Sequence, residues 1–183
     1  MTLLIRRAHA AELPETRRIL SAAFEPQRPE PDTTNGAFAR YLEDLLSVSL
    51  RFEQAELFVA VEGGIIRGTA TLYPPGQGHA ATRGTAAKPW PRAWASLRAL
   101  GVDPAHRRRG IGRRLSEARV QRARELGAPV VALHTSRLFA AAYHMIQAMG
   151  WRRLPEYDHA PTPTVQAEAY VLRLCEGDAR EHR

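Results

Sequence analysis

At 183 residues, 44% hydrophobic and 25% charged, the chain has the size and composition of one compact soluble domain rather than of a disordered or fibrous protein. The formal charge of +7 admits a polyanion partner, but among the 26 basic residues only Lys88 is a lysine, a skew that coding bias toward arginine explains more simply, and no base-stacking motif accompanies it. Cys175 is the only cysteine, which excludes an intrachain disulfide and a cysteine-built zinc cluster and suits a reducing, cytoplasmic compartment; no run approaches the ~18 apolar residues of a membrane span, and Arg6 and Arg7 follow too soon after Met1 for a targeting signal.

Residues 3–8 read as a first strand, and residues 10–24 carry Leu13, Ile19, Leu20 and Ala23 at helical spacing. Residues 25–36 are rich in Pro and Thr, lack apolar periodicity and form a loop. Residues 37–48 resume a helical pattern with Phe38, Tyr41, Leu42 and Leu45. The runs 57–61 and 65–73 flank Glu62-Gly63-Gly64, a hairpin signal because glycine tolerates positive φ. Residues 74–92, which include His79, form a long loop. Residues 94–102 make the next strand, and Asp103-Pro104 turns the chain out of it. A helix opens near Gly110 and closes at Gly127, 130–134 is an apolar strand, and 137–149 is a helix capped by Gly150. Residues 165–174 alternate as a last strand, and a charged tail at 176–183 follows a single domain over 1–175. The order predicts a mixed sheet covered by helices on both faces.

The pattern Arg107-x-x-Gly110-x-Gly112 falls between a strand and an arginine-rich helix. The first amides of a helix lack internal partners, and the helix dipole adds about half a positive charge there, so the position attracts phosphate. Gly110 and Gly112 have no Cβ, so a diphosphate can approach the backbone. Arg107, Arg108, Arg109 and Arg113 add fixed charge around it. A bare glycine pair with solvated arginines would need no ligand; the strand–turn–helix placement favours one. On the same helix Ile111, Leu115, Ala118 and Leu126 fall on one stripe with Arg122 in its middle, its stem expected to lie along the sheet and its head to reach water.

At these residues the chain resembles the Gcn5-related N-acetyltransferases. The strand Leu97-Arg98-Ala99-Leu100-Gly101-Val102-Asp103-Pro104, followed by Arg107-Arg108-Arg109-Gly110-Ile111-Gly112, is similar to the family's cofactor motif of Gln or Arg, two residues, Gly, one residue, then Gly or Ala. The likeness extends to Leu115, to Glu125-Leu126-Gly127, and to residues 142–151, which resemble the family's final helix and its Gly-aromatic ending. The resemblance implies a mixed, mostly antiparallel α/β sheet of about six or seven strands in the order β-α-α-β-β-β-α-β-α-β-β. It implies acetyl-coenzyme A as cofactor and acetyl transfer to a primary amine of a small molecule or peptide by direct attack on the thioester. The strand at 130–135 would splay from the one ending at Val102, and pantetheine would lie in the gap. The backbone of Leu100 and Val102, with Gly101 between them, would bond its amides. Arg107, Arg108, Arg109, Gly110, Ile111, Gly112 and Arg113 would hold the diphosphate.

The expected catalytic groups depart from the family pattern. Ile146 stands where a Tyr often protonates the departing thiolate. Tyr143, about one turn earlier, is the remaining candidate, and it also reads as a core or rim aromatic. Ser96 stands where a Glu often assists the acceptor amine and would need a neighbour or a relayed water; Phe139 replaces the Asn that often opens the last helix. His134, with an ordinary value near neutrality, reads as structural or as catalytic. Proximity alone supplies several orders of magnitude of rate, so these losses do not exclude catalysis. Glu25, Glu30 and Asp32 in one loop and Glu156 and Asp158 in another would meet a cationic acceptor, or are ordinary surface acidity. The alternative is a weak or inactive module of the same fold that keeps coenzyme A as a structural or sensing ligand. No metal, membrane or nucleic-acid partner is expected, and a homodimer is left open.

Overall fold

The computed structural model describes residues 2–28, 36–77, 87–162 and 165–174. Glu30, Asp32, His79, Cys175 and the tail at 176–183 lie outside them. Strands β1 (Leu3–Arg7), β2 (Glu56–Glu62), β3 (Ile65–Tyr73), β4 (Ala95–Val102), β5 (Val130–Thr135) and β8 (Val165–Arg173) run side by side in the order β1-β2-β3-β4-β5-β8. Two short strands, β6 (Arg152–Arg153) and β7 (His159–Thr162), also pair with β8. Every pair is antiparallel except β4–β5. The β2–β3 turn holds Gly63 at φ 59° and Gly64 at φ 79°, two successive left-handed residues that match the right-handed twist of the flanking strands.

Helices α1 (Leu13–Phe24), α2 (Ala37–Leu46) and α3 (Val48–Gln54) cover one face, and α4 (Ile111–Glu125) and α5 (Ala140–Ala148) cover the other. The alternation of side chains along β2 divides the core: Leu57 and Val59 pack with Ile19, Leu20, Leu42 and Leu45, whereas Phe58 and Ala60 pack with Ile111, Leu115 and Ile146. A third cluster, Trp90, Tyr157, Ala169 and Val171, seals the β5–β8 end. Among the described residues no helix is long and apolar enough to cross a membrane.

The mixed sheet with helices on both faces is the architecture expected, but it has eight strands rather than six or seven, and α3 is an additional helix. β6 is only two residues long, and β7 contains Pro161, which argues against a strand by composition. α3 was hidden by Arg51, which reads as surface but is buried. Arg51 Nη1 donates to the Asp44 carbonyl at 2.7 Å and Nη2 to the Leu45 carbonyl, so the guanidinium closes the C-terminal end of α2. Burial holds its pKa down to about 10.

The buried face of α4 also corrects the expected stripe. It consists of Ile111, Leu115, Ser116, Arg119, Val120 and Ala123, because Leu126 lies beyond the last helical residue and does not share the helical phase. The arginine in the middle of the buried face is Arg119 rather than Arg122. Arg122 is 34% exposed and pairs with Glu56 at 2.9 Å and Glu125 at 3.2 Å.

Candidate functional site

β4 and β5 pair at Ala95↔Val131, Ser96↔Ala132 and Leu97↔Leu133, and beyond that point the two strands part, although β4 continues to Val102. The cause is visible on the other side of β4. The β3–β4 register moves from Thr71↔Arg98 to Thr69↔Gly101, which leaves an extra residue in β4, and Ala99 takes φ 53°. Such a bulge bends its strand and re-aims its peptide groups. Past it, among the described residues, the main chain of β4 has no ladder partner on the β5 side. This is the gap implied by the resemblance.

From the end of β4 the chain turns through a 3-10 segment, Pro104–His106, with Asp103 Oδ1 accepting from the Ala105 amide at 3.1 Å. Arg108 at φ 62° and Gly110 at φ 77° are both left-handed. Alternation of left-handed and right-handed residues coils successive amides into a concave anion-binding nest. Among the described residues, the amides of residues 107–113 donate to no protein acceptor, and the first bond of α4 is Arg114 N to Gly110 O at 3.0 Å. A Cβ on Gly110 would meet open space; one on Gly112 would lie 3.6 Å from Val102 Cγ2, 3.7 Å from Met145 Sδ and 3.8 Å from Leu100 Cδ2. Gly112 therefore floors a groove walled by β4 and α5. Open amides at a helix start, beside a groove without side chains at two points, fit a diphosphate with an extended arm.

The expected cofactor residues take different parts around that groove. Leu100 and Val102 are half-buried against the α4 side of the core. Gly101 does not face the gap: its Cβ would sit 3.0 Å from Leu20 Cδ2 and 3.4 Å from Ala23 Cβ, so its bareness admits α1. The Ile111 side chain is in the core, leaving only its amide for a ligand. Arg107 Nη2 donates to the Ala23 carbonyl at 3.3 Å. Arg109 grips Glu62 through two bonds of 2.7 and 3.0 Å, and Arg113 bonds Glu117 at 2.8 Å. These two guanidinium groups, expected from sequence beside a diphosphate, lie in ion pairs with Glu62 and Glu117. Pairs of that kind contribute about 0–1 kcal/mol, too little to hold a guanidinium against a nearby diphosphate. Arg108 is exposed on the nest itself.

The catalytic candidates are placed less favourably. Ser96 is 1% exposed and lies in the zipped part of β4, and among the described residues its Oγ meets no partner that would make it a base. Ile146 is a core residue, which accounts for the missing Tyr at that position. Tyr143 is half-buried, edge-on to Tyr170 at 6.3 Å, with the Arg137 guanidinium 5.4 Å above its ring. Tyr170 donates to Glu168 at 2.9 Å, and burial pushes its hydroxyl up to about 12. Phe139 packs edge-on against Phe24 at 5.3 Å and lies 6.2 Å from Tyr41. Of the acidic candidates, Asp158 is held by Arg153 through two 2.5 Å bonds and Glu25 accepts from Ser21 Oγ at 2.5 Å, while Glu156 is exposed.

His134 does not titrate near neutrality. It stacks on Trp90 at 4.6 Å, and its Nε2 lies 2.9 Å from the Tyr157 carbonyl, which can only accept, so Nε2 carries the hydrogen. Burial pushes its pKa down to about 4. Between about 4 and the ordinary value near 6.5 the unfolded chain binds more protons than the folded one, so stability is intact above that window and falls as pH drops through it. The melting temperature is accordingly expected to decline from pH 7 to pH 4.5, and to decline less in His134→Gln; parallel slopes in a pH series by calorimetry would refute the assignment.

Two residues that matter here were not singled out by sequence. Gly68, on β3, would place a Cβ 3.0 Å from both Ile111 Cγ2 and Leu115 Cδ1 and 3.2 Å from the Gly101 carbonyl; an isolated glycine inside a strand is the available signal for such close approach. Met145, which walls the groove, carried no signal. Among the described residues no group of three or more His, Cys, Asp or Glu could hold a metal ion.

The Acetyltransferase (GNAT) family model matches residues 13–151, and the chain belongs to that family. No curated protein sequence matches it. Among solved structures it is similar to yncA from Salmonella typhimurium with its cofactor acetyl-CoA, at 20% identity and TM-score 0.64 over 99% of each chain. PaiA N-acetyltransferase from Thermoplasma acidophilum, in complex with coenzyme A, is 12% identical with TM-score 0.69 over 95% of this chain and 100% of that one. An agmatine N-acetyltransferase is 24% identical with TM-score 0.63 over 94% and 100%. At these identities the likeness is one of fold. The cofactor that accompanies this fold is the one the sequence implies.

Proposed function

We propose that the chain is a cytoplasmic N-acetyltransferase that moves an acetyl group from acetyl-coenzyme A to a primary amine of a small molecule or peptide. The observation that carries this reading is the run of unpartnered amides at residues 107–113, set beside the opening between β4 and β5. The bound thioester supplies an activated acetyl group. The amides and the Arg107 and Arg108 guanidinium groups bind the diphosphate, and the main chain of Leu100 and Val102 aligns the pantetheine arm as a strand would. Leu100, Val102 and Met145 keep water from that arm. With Ser96 buried and His134 weakly basic, the chain's contribution to the chemistry is chiefly alignment of an already neutral amine. Tyr143 is the proposed proton donor to the departing sulfur. Agmatine, the acceptor named for one relative of the same fold, and the Phe24–Tyr41–Phe139 cluster between α1 and α2 support an acceptor with an aliphatic stem.

A second reading, a module that keeps coenzyme A without turnover, is favoured by the core positions of Ile146 and Ser96. Native mass spectrometry followed by a thiol-release assay over agmatine, diamines and short peptides separates the two. Amine-dependent release of coenzyme A supports the transferase; retained cofactor with no release on any amine supports the module; no cofactor binding at all defeats both.

A further inference from the structure

Arg119 is 2% exposed in the middle of the buried face of α4, yet among the described residues no carboxylate pairs with it. Its donors go to oxygens of the main chain and one hydroxyl: Nε to the Leu115 carbonyl at 3.2 Å, Nη1 to the Thr71 carbonyl at 3.0 Å and to the Arg98 carbonyl at 3.3 Å, and Nη2 to Ser116 Oγ at 3.2 Å. Thr71 and Arg98 are register partners, and they flank the point where β4 takes its extra residue. One guanidinium thus ties the helix that opens at the anion nest to both strands at the bulge. A buried cation without a counter-ion is costly, and an apolar side chain of the same volume is often at least as stable in such a place. The planar fork offers what an apolar side chain cannot: several donors in fixed geometry on two strands at once.

We propose that Arg119 is a positioning residue for the cofactor site, holding the β4 bulge in the form that parts β4 from β5. This rests on the acyltransferase reading, since it assigns a purpose to the gap. The next residue after Arg98 is Ala99, whose left-handed φ of 53° is unfavourable for a residue with a Cβ and must be held by its surroundings. From there Leu100 and Val102 present the main chain on which the pantetheine arm is expected to lie. Arg119 touches neither ligand nor reacting atoms. Its influence passes through the carbonyl of Arg98.

The test is acetyl-coenzyme A binding and kinetics in the full chain carrying Arg119→Met or Arg119→Lys. Arg119→Met lets the bulge relax and weakens the main-chain hydrogen bonds offered to the arm, so it is expected to raise the Kd and the cofactor KM by about tenfold. The kcat at saturating cofactor should fall as well, because an arm held out of line presents the thioester less well to the amine. Arg119→Lys, with a charge but no fork, should fall between wild type and Arg119→Met. A merely structural residue would lower the melting temperature and leave the Kd of the folded protein unchanged, and that result in a folded Arg119→Met overturns the proposal. Should Arg119→Met not fold, an unchanged Kd in Arg119→Lys overturns it instead. A wild-type chain that binds no acetyl-coenzyme A sinks the cofactor reading and this one together.

Discussion

Gly112→Arg is expected to abolish acetyl-coenzyme A binding while the domain stays folded. The Cβ of the new residue would make only ordinary contacts, at 3.6 to 3.8 Å, with Val102, Met145 and Leu100. Arginine is a good helix former, so the first turn of α4 is not opposed, and the melting temperature should move by no more than about 2–4 °C, the shift that ~1 kcal/mol produces at this size. The rest of the side chain has only the groove to occupy, and it would offer its own guanidinium to the place reserved for a diphosphate. Losing two charge-assisted hydrogen bonds costs about 3 kcal/mol or more, which is a Kd increase of roughly a hundredfold. Gly112→Ala is the control and should bind almost as wild type. Isothermal titration calorimetry decides the matter, and a wild-type Kd in the arginine variant would remove the groove from the binding site.

Gly68→Val should weaken both the fold and the site, although residue 68 lies on β3 and touches no ligand. Its Cβ would meet Ile111 and Leu115 side chains at 3.0 Å and the Gly101 carbonyl at 3.2 Å. Side-chain ends can shift by a few tenths of an ångström; the backbone carbonyl of a paired strand cannot do so cheaply. Overpacking of this kind costs about 1–3 kcal/mol, which for a chain of this size lowers the melting temperature by roughly 2–12 °C. Relief by movement of α4 would carry Ile111 and the amides next to it away from the groove. Cofactor affinity should therefore drop together with stability. A destabilised variant with unaltered Kd would mean that the helix start is positioned independently of its packing on β3.

The sequence made the fold legible wherever one period dominated. The hairpin at Gly63-Gly64, the strands around it and the nest at residues 107–112 depend on local chemistry, and local chemistry is what a sequence displays. Arg51 and Arg119 mark where the reading failed. Each is a long charged side chain placed inside, satisfied by main-chain carbonyls that only the folded chain assembles, and no residue-by-residue rule sees such acceptors. Gly101 entered the expected cofactor segment only by lying between Leu100 and Val102, and the neighbour its bareness admits is α1. A missing Cβ reports close approach but not by what. Glu62, which engages Arg109 across 47 positions, was invisible for its distance along the chain, whereas the Arg113–Glu117 pair at i,i+4 was in plain view. The catalytic candidates were the hardest, because Ser96 and Ile146 occupy family positions whose usual occupants are polar, and burial is what tells the two cases apart.

A docking station assembled from peptide groups, as proposed for residues 107–113, constrains its side chains by size and backbone shape: Gly112 must stay small and Gly110 must keep its φ of 77°. The remaining positions of the proposed station would contribute main-chain amides, which every residue but proline carries. The fold itself is shared with structures only 12% and 24% identical to this chain. On the proposed assignment, the opposite flank around α1, α2 and the β7 segment can vary without disturbing how the donor is held. A lineage with this layout diversifies its clients and keeps its currency.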